Sequence, residues 1–236
     1  MLGDSHIAAA ASLLAEPTRA AMLLMLSDGR ALPAGELAHA AHIAPSTASE
    51  HLAKLVDAGF LQVETWGRHR YFRLASPSIA EALEALALIA PPMPIRSLRD
   101  ADRGATVRFA RTCYRHLAGT LGVTVTQALV AQGVIDEEES GYRITSTGMA
   151  FFNDFGISER GQQKPAHFVA YHIDWSERKR HIAGPLAVAF TQRLLDLAWI
   201  VPMPSSRALR ITEKGCDGLK QLLDIKPDQL QMKKQT

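Results

Sequence analysis

The chain has 236 residues, of which 47% are hydrophobic and 21% are charged, and its formal net charge is +2. This composition is typical of a folded globular protein and excludes a disordered or fibrous chain. The length favours two small domains over one large domain. Residues 1–90 contain six Lys or Arg against nine Asp or Glu. A surface in this region can therefore bind nucleic acid only if its few basic side chains lie together on one edge.

The cysteine content and the N-terminal segment indicate the compartment. Two cysteines, Cys113 and Cys216, argue against a disulfide framework and favour a reducing cytoplasm. The apolar N-terminal segment lacks a basic start and leads into Glu16-Pro17, which predicts a helix and not a signal peptide. No apolar run approaches the roughly 20 residues of a membrane span. We therefore expect a cytoplasmic protein without a membrane partner.

Apolar residues recur with helical periodicity over positions 5–58, which predicts four helices in this stretch. The third covers residues 34–41, and a tight turn joins it to the fourth. The fourth helix begins at Pro45, a residue suited to the first helical turn, and is stopped by Gly59. Its apolar positions form one face, so its polar positions face outward.

After Gly59 apolar and polar residues alternate, which predicts strands over 61–65 and 69–74 that are joined by a turn. A further helix begins at Ser76-Pro77 and runs to Ile89. Two short helices joined by a tight turn and followed by a hairpin is the order of a winged helix-turn-helix. We therefore predict that residues 1–90 form a winged helix-turn-helix domain that binds double-stranded DNA.

The outward face of the fourth helix and the tip of the hairpin are the predicted DNA contacts. A helix fits the major groove, where short polar side chains reach base edges, and cations beside it neutralise phosphates. The predicted contact residues are Pro45, Ser46, Thr47, Ser49, Glu50, His51, Lys54, Arg68, His69 and Arg70. Two alternatives stay open: these residues form a solvated helix face, or the domain is a protein-interaction module without DNA binding.

Five motifs occur in order in this region. They are Ala15-Glu16-Pro17-Thr18-Arg19, Glu36-Leu37-Ala38, Ser46-x-x-Ser49-x-His51-Leu52-x-x-Leu55, Ala58-Gly59-Phe60-Leu61, and Gly67-Arg68 followed by Tyr71-Phe72-Arg73-Leu74. In these motifs and their spacing, residues 5–90 resemble the ArsR/SmtB-type repressor family. The resemblance implies a homodimer formed by the first helix and the helix after the wing. It also implies operator binding that an effector relieves.

The sequence departs from that family at several functional positions. Ala44 stands where the family usually places a serine that caps the recognition helix. Glu36-Leu37 is not accompanied by the Cys-x-Cys of metal-sensing members, and residues 76–89 lack the Asp and His ligands of the zinc sensors. His39 and His42, three residues apart, could ligate a metal, although surface histidines are the commoner case. The family's familiar metal sites are therefore not expected here.

The second part of the chain contains an internal repeat. Prolines from position 91 onward end the helix, so residues 91–107 are predicted to be a linker and residues 108–228 a second domain. Arg115-His116-Leu117-Ala118-Gly119 returns 65 residues later as Arg180-His181-Ile182-Ala183-Gly184. The repeats cover about 108–160 and 173–226, and each has the pattern helix, helix, hairpin, helix. Thr145 and Thr212 are the predicted N-caps of the last helices.

The predicted fold class is therefore α+β and mainly helical. It combines an N-terminal winged helix-turn-helix with a C-terminal domain of two tandem winged-helix-like repeats. The interface between two such repeats is a common place for a ligand pocket.

Several residues of the second domain are candidates for sensing an effector. Cys113 and His116 are three residues apart on a predicted helix, and His172, Asp174 and His181 lie in the matching segment of the second repeat. Such a set can ligate a soft or borderline metal, and a thiolate there can sense oxidants. The candidate effector or sensing residues are Cys113, His116, Tyr171, His172, Trp175 and His181. A structural or pocket-lining role explains the same residues.

No nucleotide-binding, phosphate-binding or hydrolase motif occurs in the sequence, so an enzyme is not expected. The predicted function is a homodimeric DNA-binding transcriptional regulator, a repressor released by an effector at the C-terminal domain. The alternatives are a metal- or thiol-redox-sensing regulator that uses Cys113, His116 and His172, and the protein-interaction module. No motif requires a cofactor, and the candidates are a metal ion or a small-molecule effector.

Overall fold

The computed structural model describes residues 6–91, 97–157, 167–204 and 206–230. The chain divides into two compact units. The first contains Met1–Leu83 with the segment Pro204–Arg207, and the second contains Glu84–Met203 with Ala208–Thr236. Among the described residues no single helix is long and apolar enough to cross a membrane, although the bent pair Ile7–Leu14 and Pro17–Leu26 passes that test together.

The first unit has the predicted order of helices followed by a hairpin. In chain order its elements are α1 (Ile7–Leu14), α2 (Pro17–Leu26), β1 (Leu32–Pro33), α3 (Ala34–Ala40), α4 (Pro45–Asp57), β2 (Leu61–Trp66), β3 (His69–Leu74) and α5 (Pro77–Ile89). The boundary between the two units lies within α5. The strands form an antiparallel sheet in the order β1-β3-β2. The winged helix-turn-helix prediction is confirmed, and the short β1, which pairs Leu32 with Phe72, was not predicted.

Local chemistry explains where α2 and α4 begin. The Glu16 carboxylate accepts hydrogen bonds from the backbone N–H groups of Thr18, at 3.1 Å, and Arg19, at 2.8 Å, which satisfies the first turn of α2. At the start of α4, Ala44 offers no capping side chain, and Pro45 occupies the first turn instead. The two helices are held by a common core of buried side chains, which includes Met22, Leu23, Leu26, Leu37, Ala48, Leu52, Leu55, Phe72 and Leu74.

The turn between α3 and α4 is made at His42, whose φ is 55°. The backbone N–H of Ile43 reaches back to the carbonyl of Ala38 at 3.1 Å, which closes the end of α3. A left-handed residue at this position is usually glycine, because a Cβ atom crowds the following carbonyl. The helix-turn-helix angle therefore depends on a histidine in a strained conformation.

The second unit consists of hairpins and helices in alternation. After α5 its elements are α6 (Leu98–Phe109), β4 (Arg111–Cys113), β5 (His116–Ala118), α7 (Gly119–Ala131), β6 (Ile135–Glu138), β7 (Gly141–Ile144), α8 (Ser146–Asp154), β8 (Phe168–Val169), β9 (Tyr171–Ile173), β10 (Arg180–Ile182), α9 (Gly184–Asp196), β11 (Ile200–Pro202), β12 (Leu209–Ile211), α10 (Glu213–Leu223) and a 3₁₀ turn (Pro227–Leu230). All its paired strands are antiparallel. Thr145 and Thr212 accept hydrogen bonds from the N–H groups of Gly148 and Gly215, so both predicted N-caps are confirmed.

Three predictions of secondary structure are wrong. Both repeats were expected to begin with a helix, but the hairpins β4–β5 and β9–β10 stand there instead. Residues 98–107, expected in a linker, lie in α6, because Ser97 caps the helix by accepting from the N–H of Asp100 at 3.1 Å. Cys113 and His116, expected on a helix, face each other across the β4–β5 hairpin. Its two turn residues, Tyr114 and Arg115, have φ of 40° and 75°, which is the geometry of a tight hairpin. The predicted linker residues 92–96 and the end of the first repeat, 158–160, lie outside the described residues.

The second unit has two halves, one from β4 to α8 and the other from β9 to α10, and hydrogen bonds join them at matching positions. The backbone N–H of Leu117 in β5 donates to Thr191 Oγ1 in α9 at 2.8 Å. The backbone N–H of Ile182 in β10 donates to Thr126 Oγ1 in α7 at 3.0 Å. Both threonines are buried, so neither hydroxyl is available to water. Each hairpin is therefore held by the helix of the other half, and a single core fills the space between them.

We expect His42→Gly to raise the free energy of unfolding by about 0.5–1 kcal/mol, because glycine relieves the left-handed conformation. His39→Gly, on an exposed position of α3 itself, is the matched control and should lower it by about 1 kcal/mol. Urea unfolding of the three proteins measures both changes. A loss of stability in His42→Gly equal to that of the control would contradict this account of the turn.

Candidate functional site

The polar edge of α4 is exposed while its opposite face is anchored. Ala48, Leu52 and Leu55 are buried in the core of the first unit. The predicted contact residues that are exposed on this helix are Pro45, Ser46, Thr47, Ser49, Glu50 and Lys54. Because the apolar stripe fixes the rotation of the helix, these side chains project together from one side.

Two of the predicted contact residues of α4 have partners within the first unit. Ser49 Oγ donates to the carbonyl oxygen of Pro45 at 3.0 Å, so its lone pairs stay available to accept. His51 is half-buried, and its Nδ1 lies 3.4 Å from Glu16 Oε2. His51 therefore lies against the start of α2 and does not project with the exposed set.

Glu16 links the two helices electrostatically. Burial raises the pKa of its carboxyl group, but hydrogen bonds from Arg19 and Thr18 and the nearby His51 outweigh burial and lower it overall. The Glu16 carboxylate is therefore charged at neutral pH.

The β2–β3 hairpin carries the remaining predicted DNA contacts. Its tip is formed by Gly67, with φ of 59°, and Arg68. Arg68, His69 and Arg70 are all exposed. Further along, Arg73 pairs with Glu64. Within the described part of the chain, none of Lys54, Arg68 and Arg70 forms an ion pair, so their charges face solvent.

Trp66 is a surface residue that the sequence analysis placed only in a turn. Its side chain is 72% exposed at the end of β2, and its ring centroid lies 6.2 Å from that of Tyr71. An exposed tryptophan beside two arginines is a candidate contact to a sugar or base step. The signal for it was the aromatic residue directly before the turn of a predicted wing.

Two hairpins of the second unit bring four metal-ligand side chains together. Cys113 pairs with His116 across β4–β5, and His172 pairs with His181 across β9–β10. One ligating atom from each side chain lies within 4.8 Å of all the others. We call these four residues the Cys-His cluster.

The structure brings some of the predicted metal ligands together and places others elsewhere. Among the described residues, the Cys-His cluster is the only group of three or more His, Cys, Asp or Glu side chains arranged in this way. His39 and His42 lie outside it, with ring centroids 6.5 Å apart. Asp174, which the sequence analysis grouped with the histidines, is not a member.

Burial controls the charge of the cluster. His116, His181 and Cys113 are buried, and His172 is half-buried. Burial lowers the pKa of His181 to about 4, and burial together with the neighbouring His181 and His172 lowers the pKa of His116 well below its usual value. Both imidazoles are therefore neutral at pH 7, which is the form that binds metals.

Asp174 instead forms an ion pair with the buried Arg111. Its Oδ2 accepts from Arg111 Nη2 at 2.8 Å and from the backbone N–H of Gly119 at 2.7 Å. Its Oδ1 accepts from the backbone N–H groups of Ser176, at 2.9 Å, and Glu177, at 3.0 Å, and from the Ser176 hydroxyl. Burial raises the pKa of Asp174, but Arg111 and these hydrogen bonds lower it overall.

The predicted effector residues Tyr171 and Trp175 are covered by arginine side chains. The guanidinium carbon of Arg180 lies 4.2 Å from the Tyr171 ring centroid, and that of Arg111 lies 4.7 Å from the Trp175 ring. A cavity of about 10 Å³ lies between the two halves, with Leu117, Ile182 and Phe190 among its lining residues. It has room for about one water molecule, so it does not accommodate an organic effector in this conformation.

We expect Arg111→Met to lower the free energy of unfolding by about 3–5 kcal/mol, because it leaves the Asp174 carboxylate buried without its counter-charge. Arg143→Met is the matched control: Arg143 pairs with Asp136 and Glu138 at the surface, where water screens the charges, so we expect little change. Chemical unfolding measures both variants. Equal stability of the two variants would contradict a structural role for the Arg111–Asp174 pair.

A family comparison agrees with the helix-turn-helix of the first unit. Residues 14–64 match a helix-turn-helix domain family. Among solved structures, HlyU from Vibrio cholerae is 25% identical, with 35% of this chain and 89% of that chain covered and a TM-score of 0.33. The homodimeric winged helix-turn-helix DNA-binding domain of a possible ArsR-family regulator from Mycobacterium bovis is 23% identical, with 38% and 89% covered and a TM-score of 0.33.

A match over almost the whole chain is more informative than these local similarities. The uncharacterized HTH-type transcriptional regulator YdfF of Bacillus subtilis (strain 168) is 46% identical over 224 residues, which cover 94% of this chain and 99% of that protein. The similarity therefore includes the second unit as well as the helix-turn-helix. The chain is a DNA-binding transcriptional regulator and belongs to the helix-turn-helix family that includes YdfF.

Proposed function

We propose that this regulator is of the ArsR type and binds its operator as a homodimer through α4 and the β2–β3 wing. The observation that carries the proposal is the exposed polar edge of α4, held outward by the buried Ala48, Leu52 and Leu55. A helix presented in this way fits the major groove of B-DNA, and its first turns reach the base edges.

The proposed division of labour follows the chemistry of each side chain. Ser46, Thr47 and Ser49 are short groups that can donate or accept hydrogen bonds at base edges, and Glu50 can accept from a cytosine amine. Lys54, Arg68 and Arg70 supply positive charge for phosphates. His69 lies among these wing cations, and Pro45 sets the start of the helix. We do not propose His51 as a DNA contact, because its Nδ1 faces Glu16 at the start of α2.

The apolar character of α1 supports the proposed homodimer. The helix has the sequence Ile-Ala-Ala-Ala-Ala-Ser-Leu-Leu, and none of its eight residues is buried within the described chain. Ile7 is 74% exposed, and Ile89 at the end of α5 is 81% exposed. An isolated helix this short is unstable in water, so it needs a surface to pack against. We infer that a second copy of the chain supplies that surface.

The division into a DNA-binding and dimerisation domain, 1–90, and a duplicated domain, 108–228, is also a proposal. The exchanged hydrogen bonds of Leu117 with Thr191 and of Ile182 with Thr126 support it, since each residue and its counterpart are 65 positions apart. In addition, a Cβ on Gly148 would overlap the backbone oxygen of Val134, and a Cβ on Gly215 would overlap that of Trp199. The same close contact thus occurs in both halves.

We further propose that the regulator is a repressor and that an effector at the second unit releases it. A protein seated in a promoter groove excludes other proteins from that stretch of DNA, which favours repression as the direction of control. The Cys-His cluster supports a second candidate function, a sensor of metal ions or of thiol oxidation. A promoter-reporter strain with and without the intact gene tests the direction, since loss of a repressor raises expression and loss of an activator lowers it.

We expect Arg70→Ala to weaken binding to the chain's own promoter region by about 1–3 kcal/mol, and to reduce the salt dependence of log K by about one unit per protomer. Ser49→Ala should weaken binding by a similar or smaller amount, but with an unchanged salt dependence, because serine carries no charge. Arg143→Ala, an exposed arginine of the second unit, is the matched control. Fluorescence anisotropy at several salt concentrations measures all four proteins.

Normal operator affinity in both Arg70→Ala and Ser49→Ala would reject these contact assignments. A wild-type protein that binds no promoter DNA even at low salt would reject the proposed DNA-binding surface altogether. That result would favour a protein-interaction module.

We expect Ala11→Glu to weaken dimerisation at least about tenfold, because it places a charge in the proposed apolar interface of α1. Ala9→Glu, on the other side of the same helix, is the matched control and has the same effect on helix propensity. Sedimentation equilibrium measures the dissociation constants. Equal constants for the two variants, or a monomeric wild-type protein, would contradict dimerisation through this face.

A further inference from the structure

We propose that Cys113, His116, His172 and His181 form a four-coordinate zinc site that joins the two halves of the second unit. The site does not depend on the proposed DNA-binding surface, since all four residues belong to the second unit. It lies outside the positions of the metal sites that are familiar in the ArsR/SmtB-type family.

The cluster is built by matching positions of two hairpins. Cys113 faces His116 across β4–β5, and His172 faces His181 across β9–β10. The two hairpins then bring their histidines together, so that His116 Nε2 lies 3.3 Å from His181 Nε2. Cys113 Sγ lies 3.6 Å from His172 Nδ1. Each hairpin thus supplies two ligands, and each of these close contacts joins one hairpin to the other.

These distances agree with tetrahedral coordination. Zinc binds imidazole nitrogen at about 2.0–2.1 Å and thiolate sulfur at about 2.3 Å. Tetrahedral angles then separate two nitrogens by about 3.4 Å, and a nitrogen from the sulfur by about 3.6 Å. The observed 3.3 Å and 3.6 Å match both values. Since all four ligating atoms lie within 4.8 Å of one another, the remaining separations need to contract by about 1.4 Å at most.

The donor set selects the class of metal. One thiolate with three imidazoles suits a borderline divalent ion such as Zn²⁺, whereas Mg²⁺ and Ca²⁺ need oxygen ligands. Asp174, the nearest candidate for an oxygen ligand, has both oxygens occupied by Arg111 and backbone N–H groups. Four protein ligands leave no open position, so the site has the character of a structural or regulatory centre and not of a catalytic one.

Hydrogen bonding prepares His116 for this role. Its ring also hydrogen-bonds to the backbone of Tyr114. Because Nε2 faces His181, Nδ1 is the nitrogen left for this bond, and a proton on Nδ1 would leave the Nε2 lone pair available to a metal. A metal-bound histidine is commonly oriented in this way by its other nitrogen.

The structure also indicates how the metal enters and what is released. His172 is the half-buried member of the cluster and gives it access from the surface. On binding, Cys113 loses its thiol proton to solvent and forms the Zn–S bond, while the neutral imidazoles bind through their lone pairs. Uptake of one zinc ion therefore releases about one proton and involves no redox change.

The experiment uses the full-length chain, purified without an affinity tag, in wild-type and variant forms. Metal content is measured after growth in zinc-supplemented medium. The apoprotein, prepared with a chelator, is titrated with Co²⁺ as the spectroscopic probe and with Zn²⁺ in thermal unfolding. The variants are Cys113→Ser and His172→Gln, with Cys216→Ser in α10 as the matched thiol control. Circular dichroism establishes that each variant is folded.

We expect one metal per chain in the wild type and in Cys216→Ser, with a tetrahedral Co²⁺ spectrum that includes a thiolate charge-transfer band. Zinc should raise the unfolding temperature of both proteins. Cys113→Ser should lose the charge-transfer band, and both cluster variants should bind Zn²⁺ at least about tenfold more weakly. If Cys113→Ser fails to fold, the half-buried His172→Gln provides the affinity comparison. Wild-type protein with little metal and no Co²⁺ charge-transfer band, or equal zinc affinity in the cluster variants and the wild type, would overturn the proposal.

Discussion

The buried ion pair between Arg111 and Asp174 is the interaction on which the second unit depends. Both side chains are fully buried, and charges in such a place are tolerated only when they are paired and hydrogen-bonded. The carboxylate meets this condition with the guanidinium, three backbone N–H groups and a hydroxyl. Its partners come from β4, from the first residue of α7 and from the loop after β9, so the pair joins segments far apart in the sequence.

The same pair positions the Cys-His cluster. Arg111 and Cys113 are two residues apart in β4, and His172 and Asp174 are two residues apart at β9, so in each hairpin a charged residue and a cluster residue have side chains on the same side. The Arg111–Asp174 contact and the Cys113–His172 contact therefore join the same two hairpins. The zinc proposal therefore rests on a hairpin contact that the ion pair also supports.

The first unit uses a different constraint to present a surface. An apolar stripe of α4 is buried, and Pro45 and Glu16 determine where α4 and α2 begin, so burial of the opposite face fixes the orientation of the polar edge of α4. The turn at His42 sets the angle between α3 and α4 at the cost of a left-handed residue. Local chemistry is thus sufficient for the proposed DNA-binding surface, while the cluster of the second unit requires contacts between distant segments.

This difference explains what the sequence by itself determined. The order of helices, turn and wing in residues 5–90 could be predicted, because periodicity, proline and glycine act locally, and so could the caps Thr145 and Thr212. The hairpin at Cys113 was mistaken for a helix, because a three-residue strand is too short to show its period. The 65-residue repeat grouped Cys113 and His116 with His172 and His181, but only the tertiary structure supplied their distances. Only the tertiary structure assigned Asp174 to Arg111 and turned His51 toward Glu16. These two pairings depend on how buried groups satisfy one another in three dimensions, and no repeat or periodicity of the sequence marks them.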